Sequence, residues 1–254
     1  MNRFKKIITL SVLALMSAGV ASAQFYLGPR AGLNMSNMAS NEAGVENLSI
    51  MGFHGGLTAK YQFMKKLSVQ MDAIASTMGN RQKMVVTADG ISTTTETTVN
   101  SFYAQVPVYI NWEKPIMPDN LVPYRVKKSM MSFHGYLGGF FGYGLSATSG
   151  TKTTTVTEQP DGSTTTDVVP ATSATLLSGT YNAIDFGALA GLGFSFRLDE
   201  DDMKRFAVDF RYLLGFSDFD NQSTAVVKTN NAVQVSLVFT KKLTKRRYTN
   251  RHQY

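Results

Sequence analysis

FYAQVPVYINW, Phe102–Trp112, places Phe102, Ala104, Val106, Val108, Ile110 and Trp112 on one face and Tyr103, Gln105, Pro107, Tyr109 and Asn111 on the other. A period of two is that of a β-strand, whose successive side chains point to opposite sides. One face is wholly apolar and begins and ends on an aromatic, over about the length a tilted strand needs to cross a bilayer. The segment is either the buried face of a soluble sheet or the lipid face of a membrane barrel. The fold turns on which face looks inward.

Seven further stretches share the pattern. They begin at Phe25, Phe53 and Leu67 before the opening one, and at Phe133, Asp185, Phe206 and Ala232 after it. The total of eight is even, as a closed antiparallel barrel of an exported protein requires. Links at Met64–Lys66 and Leu198–Arg205 are short and charged, whereas the others are mostly long and polar. Short turns at one end and long loops at the other characterise an outer-membrane barrel, with the turns in the periplasm. Glu113–Met130, with Pro115, Pro118 and Pro123, breaks this pattern and reads as a small cap or as a sign that the count is off by a hairpin. Met84–Thr98 and Thr151–Val169 flank Asp89-Gly90 and Asp161-Gly162 with threonines and β-branched residues, which predicts hairpins extending beyond the membrane.

The ends of the chain carry separate signals. Arg3, Lys5 and Lys6 precede the apolar run Ile7–Met16 and the A-x-A site Ala21-Ser22-Ala23, so 1–23 reads as a signal peptide cleaved between Ala23 and Gln24. No later run is long enough for a transmembrane helix, so a membrane-embedded mature chain must be a barrel. Cysteine is absent, leaving an exported protein without disulfides. The formal charge of +7 resides at the two ends: Lys241, Lys242, Lys245, Arg246, Arg247 and Arg251 fall in the last fourteen residues. The body therefore has no nucleic-acid footprint. The expected layout is signal peptide 1–23, barrel 24–240 and a basic periplasmic tail 241–254. The tail could meet anionic lipid or peptidoglycan, and the barrel itself membrane lipid.

Composition favours the apolar face pointing outward. The polar face is rich in glycine and carries Arg30, Lys60, Asp72, Asp185, Asp209 and Arg211. In a narrow lumen, glycines would leave room for long charged side chains to cross and pair. Aromatics gather at the strand ends, with Tyr61, Phe63, Trp112, Phe133, Phe196 and Phe239 at the periplasmic girdle. Pro107 lies mid-strand in a ring with no edge, which predicts a bulge or locally widened pairing there.

The stretches AGLNMS, FYAQVPVYINW, FHGYLGGFFGYGLSA, DFGALAGLGFSF, FRYLLGF and NNAVQVSLVF, in that order, resemble the PorT-like outer-membrane β-barrel family of Bacteroidetes. The resemblance covers nearly the whole mature chain and implies an eight-stranded barrel in the outer membrane, most relatives having no assigned activity. The threonine hairpins and the basic tail depart from it. His54, His134 and His252 share no face at ligand spacing, and no nucleophile elbow, zinc motif or phosphate loop occurs, so no catalytic group, cofactor or metal is expected. The sequence thus reads as an all-β, eight-stranded antiparallel up-and-down transmembrane barrel with extended extracellular hairpins. Its expected role is non-enzymatic, structural or surface-interacting, with a transport or secretion accessory and a soluble lipocalin-like binder as alternatives.

Overall fold

The computed structural model describes residues 24–39, 44–88, 91–116, 131–158, 164–175, 183–199, 202–218 and 229–243. The signal segment, both Asp-Gly turns, 117–130 of the proline-rich connector and the cations from Lys245 onward lie outside these residues. Nine strands appear: β1 (Gln24–Ala39), β2 (Val45–Gln62), β3 (Leu67–Ala88), β4 (Ile91–Pro115), β5 (Met131–Glu158), β6 (Thr164–Thr175), β7 (Ile184–Arg197), β8 (Lys204–Gly215) and β9 (Thr229–Lys242). Eight of them close a ring in chain order, β1 pairing with β9 and β4 with β5. The ninth, β6, pairs only with the outer part of β5, Thr148–Glu158, and belongs to a hairpin projecting beyond the ring.

All pairs are antiparallel, and the ring is staggered. Stepping between paired residues from Asp185 through Gly142, Gln105, Ile74, Gly56, Arg30, Val238 and Ala207 leads back to β7 at Ser195, ten positions further along, from 185 to 195. In an eight-stranded ring such a stagger corresponds to a strand tilt of roughly 40°. The β1 outer face from Phe25 to Met35 then rises about 25 Å, the height of a membrane barrel's apolar band.

Alternation resolves into inside and outside. On β4, Tyr103 and Gln105 are 1% exposed, whereas Ile110 on the other face is 58% exposed. Leu33, Phe53, Leu57, Leu137, Phe141, Leu214 and Leu237 likewise stand on the outer wall. A soluble lipocalin-like barrel would have the opposite polarity, so that alternative falls.

The prolines have a common solution. Pairing of β4 with β5 runs straight through Pro107↔Phe140, while the β3 ladder opens at Val106-Pro107 and resumes at Gln105↔Ile74 in unchanged register. Pro29 behaves alike, with a continuous ladder to β2 and an opening toward β9 at Gly28-Pro29. Each strand keeps one neighbour and widens from the other, because proline has no N–H to donate. Pairing at Pro107 is thus widened on one side, without a bulge. Within the ring, the true register shifts lie between Ser49 and His54 on β2, and opposite Phe102/Tyr103 on β5.

Several boundaries differ from expectation. Glu113, Lys114 and Pro115 belong to β4, since Trp112–Pro115 stay paired with β5 despite the proline. β9 extends through Lys242, so the barrel does not stop at 240. The β5 bulge also resets the parity of that strand, so that Ser146 is exposed.

Candidate functional site

Among the described residues, chemistry-bearing side chains converge in the lumen, which is layered. At the end where β1 begins and β9 ends, Arg205 reaches Glu113 with Nη1 at 3.1 and 2.9 Å, and Asp202 with Nε and Nη2 both at 2.7 Å. Lys60 Nζ donates to Glu113 at 2.9 Å, and Arg197 lies 3.3 Å from Asp202. The Arg205 guanidinium also sits 4.8 Å from the centre of the Tyr26 ring. Asp202 is in the tight β7–β8 turn, where its φ of 58° places it in the left-handed region that aspartate tolerates better than most residues. Asp199 organises that turn by accepting from the Met203 and Lys204 amides at 2.6 and 3.2 Å. Burial acts to raise the Asp202 pKa, but the hydrogen bonds and charge of Arg205, with Arg197, outweigh it and hold the carboxyl below its usual range.

Mid-lumen, Arg30 pairs with Asp209 and lies 3.5 Å from Asp72, which also receives Arg211 Nη1 at 3.1 Å. The hydroxyls of Thr58 and Tyr109 donate to Asp72 at 2.6 and 3.1 Å, and Gln234 accepts from Arg211 Nε at 2.6 Å. His134 Nε2 meets Asp209 at 2.7 Å. Two arginines and two aspartates balance in charge, so the layer is neutral apart from His134.

Beyond this layer the lumen holds an apolar cluster beside buried polar side chains such as Asn34, Ser76 and Gln105. Met78, Val99, Tyr103, Tyr109, Tyr136, Phe140, Leu189, Leu213 and Ala232 form one buried cluster. The β7 glycines make it possible: a Cβ on Gly187, Gly191 or Gly193 would come within 2.7 Å of the ring of Phe140, Tyr136 or His134 on β5. These glycines therefore accommodate aromatic rings of β5 rather than the long charged side chains that composition suggested.

Asp185 departs from the expected network. It is buried beyond the apolar cluster, at the hairpin end, where Ser217 donates at 2.6 Å and Asn230 at 3.3 Å, with no cation paired to it among the described residues. Its place on β7, ten residues from Ser195, separates it from the arginines by the length of the plug. Lys60 also leaves the mid-lumen group and joins Glu113 at the terminal end. The six expected charges thus divide among three levels. His54 is buried, with Nε2 2.9 Å from Ser236 Oγ. Of the aromatics assigned to a girdle, Tyr61, Trp112, Phe133, Phe196 and Phe239 stand on the outer wall near the terminal end, and Phe63 lies in the β2–β3 turn. Phe196 packs 6.4 Å from Phe206 and Phe133 5.6 Å from Phe194.

Residues 17–221 match the family described as outer membrane protein beta-barrel domain. The chain belongs to this outer membrane barrel family. It is therefore an outer-membrane β-barrel protein, with its apolar wall toward lipid. No curated protein matches the chain. Among solved structures, the barrel is similar to Ail, the attachment invasion locus protein of Yersinia pestis in complex with the heparin analogue sucrose octasulfate. That match has 13% identity and a TM-score of 0.32, covering 85% of this chain and 99% of that one. Neisserial surface protein A shares 14% identity at a TM-score of 0.35, covering 87% and 98%. The toluene transporter TbuX of Ralstonia pickettii shares 7% at 0.21, covering 88% and 90%. At these values the likenesses carry nothing about function.

The site residues that sequence reasoning missed in this outer membrane barrel are Glu113, Arg205 and Asp202. Parity contained part of the signal. Glu113 continues Tyr109 and Asn111, and Arg205 continues Ala207 and Asp209, but both had been assigned to connectors because of neighbouring prolines and charges.

Proposed function

We propose that the protein is a non-enzymatic outer-membrane barrel that acts through its exterior, as a surface-interacting or structural element, and not through its lumen. The carrying observation is the filled cross-section: Tyr103, Tyr109, Leu189 and Leu213, all at most 2% exposed, close the interior above a neutral ion layer. In a lumen this narrow such packing leaves the charges a structural task, with Arg30, Arg211, Asp72 and Asp209 each held by at least one opposite charge. Beyond the wall, β3, β4, β5 and β6 continue as a threonine-rich sheet, Ile91–Asn100 alone spanning about 30 Å. A projecting paired sheet suits contact with other surfaces better than passage of a solute. In this reading the hairpins face outward from the cell, the termini are periplasmic, 1–23 is removed on export, and the basic tail beyond Lys242 meets anionic lipid or peptidoglycan.

The ordered strand motifs shared with PorT-like barrels support a second reading, in which the protein is an accessory of transport or secretion. Two measurements separate the readings. In planar bilayers, the purified barrel is expected to give no steps above background, and steady ohmic channels would overturn the closed-lumen reading. An epitope inserted between Asp89 and Gly90 is expected to be labelled on intact cells while one at the C-terminus is not. The reverse pattern would invert the orientation. A secretion defect on deletion, with no channel activity, would favour the accessory role.

A further inference from the structure

The outer wall at the hairpin end carries a groove that the closed-lumen reading does not use. Its floor results from two irregularities in strand pairing. On β2, the four residues Ile50–Phe53 lie against the three residues Thr77–Gly79 of β3, and Thr77 Oγ1 fills the bulge by accepting the Phe53 amide at 2.9 Å. Gly79 is pressed so closely to Ile50 that a Cβ would lie 2.4 Å from its Cδ1. On the other flank, the β5 bulge turns Ser146 outward. Between them lies an apolar depression of about 290 Å³ lined by Ile50, Met51, Phe53 and Phe102.

A second depression of about 340 Å³ continues it away from the membrane band, with Asn100 and Thr148 lining both. The second one is lined by Arg81, Lys152 and Glu96, with Thr98, Ser149 and Gly150. Register explains its charge. Glu46 pairs with Lys83, Lys83 with Glu96 and Glu96 with Lys152, forming a row of alternating sign across four strands. Within that row each cation stands beside a carboxylate. Arg81 lies two residues nearer the membrane on the same face, paired with Leu48 and Thr98, and is the surplus cation. The groove therefore runs from apolar, through hydroxyl and amide, to cationic along the direction a membrane amphiphile adopts.

We propose that this groove seats one phospholipid of net negative charge, its acyl chain against Phe53, Met51 and Phe102 and its phosphate at Arg81. Asn100, Thr98 and Thr148 supply neutral donors, and Lys152 adds a second cation offset by Glu96. The proposal rests on the outer-membrane reading of the protein and is independent of which leaflet surrounds the hairpin end.

Native mass spectrometry of the full barrel, extracted in mild detergent and offered equal phosphatidylglycerol and phosphatidylcholine, tests it. One phosphatidylglycerol is expected to be retained in preference. Arg81→Gln should weaken that retention about tenfold, the scale of one hydrogen bond to a charged group. Lys152→Gln should weaken it less, and Lys114→Gln, exposed at the opposite end, should leave it unchanged. Equal retention of both lipids by the wild type, or an Arg81→Gln variant that retains phosphatidylglycerol fully, overturns the proposal. Displacement of the lipid by inorganic phosphate at equal concentration also overturns it, since the acyl half would then contribute nothing. Heat-modified gel mobility shows that each variant remains folded, and flotation with membranes tests the outer-membrane reading separately: loss of lipid selectivity in a floating variant sinks only the site.

Discussion

The two ion layers of the lumen use the same chemistry at different depths. In the middle layer, the side chains of Arg30, Arg211 and Asp72 have no exposure at all. At the terminal end, Arg205, Glu113, Asp202 and Arg197 retain side-chain exposures of 6 to 18%. Both layers satisfy charge with charge, but the centre of the middle layer is sealed, with Asp209 and His134 at 5% on its edge, whereas the second layer can call on water when a partner is lost. Removing one partner of a sealed pair leaves an uncompensated buried ion, which costs about 3–5 kcal/mol, whereas a mouth-level cluster relaxes and hydrates. Depth, more than the number of contacts, sets what each charge contributes.

The largest loss is expected for Arg30→Ala, about 3–5 kcal/mol, because Asp209 and Asp72 would both lose a cation in a dry environment. Urea unfolding followed by heat-modified mobility measures it, and a loss below about 1 kcal/mol would abolish the distinction between the layers. Gly191→Leu should follow at about 1–3 kcal/mol by overpacking, since its first added carbon already meets the Tyr136 ring at 2.5 Å. The same unfolding curves for Arg205→Ala should fall only about 1–2 kcal/mol, as water reaches Glu113 and Asp202. A loss equal to that of Arg30→Ala would mean that the mouth is as dry as the centre. Asp185→Asn is expected to be near neutral, since the amide oxygen can still accept from Asn230 while the new NH2 donates to the Ser217 hydroxyl, which can reverse its role. By contrast, Asp209→Asn should destabilise strongly, and equal effects of the two would restore a single network.

The smallest effect concerns pH. The folded-state pKa of Asp202 is depressed, so its contribution is fully present above the ordinary aspartate value of 3.8 and is lost as pH falls through the depressed one. The stability advantage of wild type over Asp202→Asn should therefore hold at neutral pH and vanish on acidification below 3.8. An advantage that grew on acidification would reverse the sign of the coupling.

Much of this was legible from parity. Counting by twos from Phe102 sorted Arg30, Lys60, Asp72, Asp185, Asp209 and Arg211 to one side of the wall, and the structure places all six inside. Pro107 could be read as a disturbance because any proline lacks a donor, though not which neighbour would move away. Glu113 and Arg205 were concealed by element boundaries, where prolines and flanking charges imitate a loop. The aromatic plug was concealed differently. Tyr103, Tyr109 and Tyr136 are amphipathic, and only their rings' neighbours distinguish polar lining from apolar filling.

Sequence by itself determined the strands, their even number and the polarity of each face, since these follow from the local geometry of a pleated chain. Tertiary structure alone decided who meets whom inside. The ten-residue stagger of the closed ring sets the height of every inward residue relative to those on the other strands. It brings Arg30 to Asp209 across 179 positions of chain and seats His134 on the same carboxylate. It also carries Asp185 beyond the plug, out of reach of the arginines. Closure is a condition on all eight strands at once, and no single strand's alternation contains it.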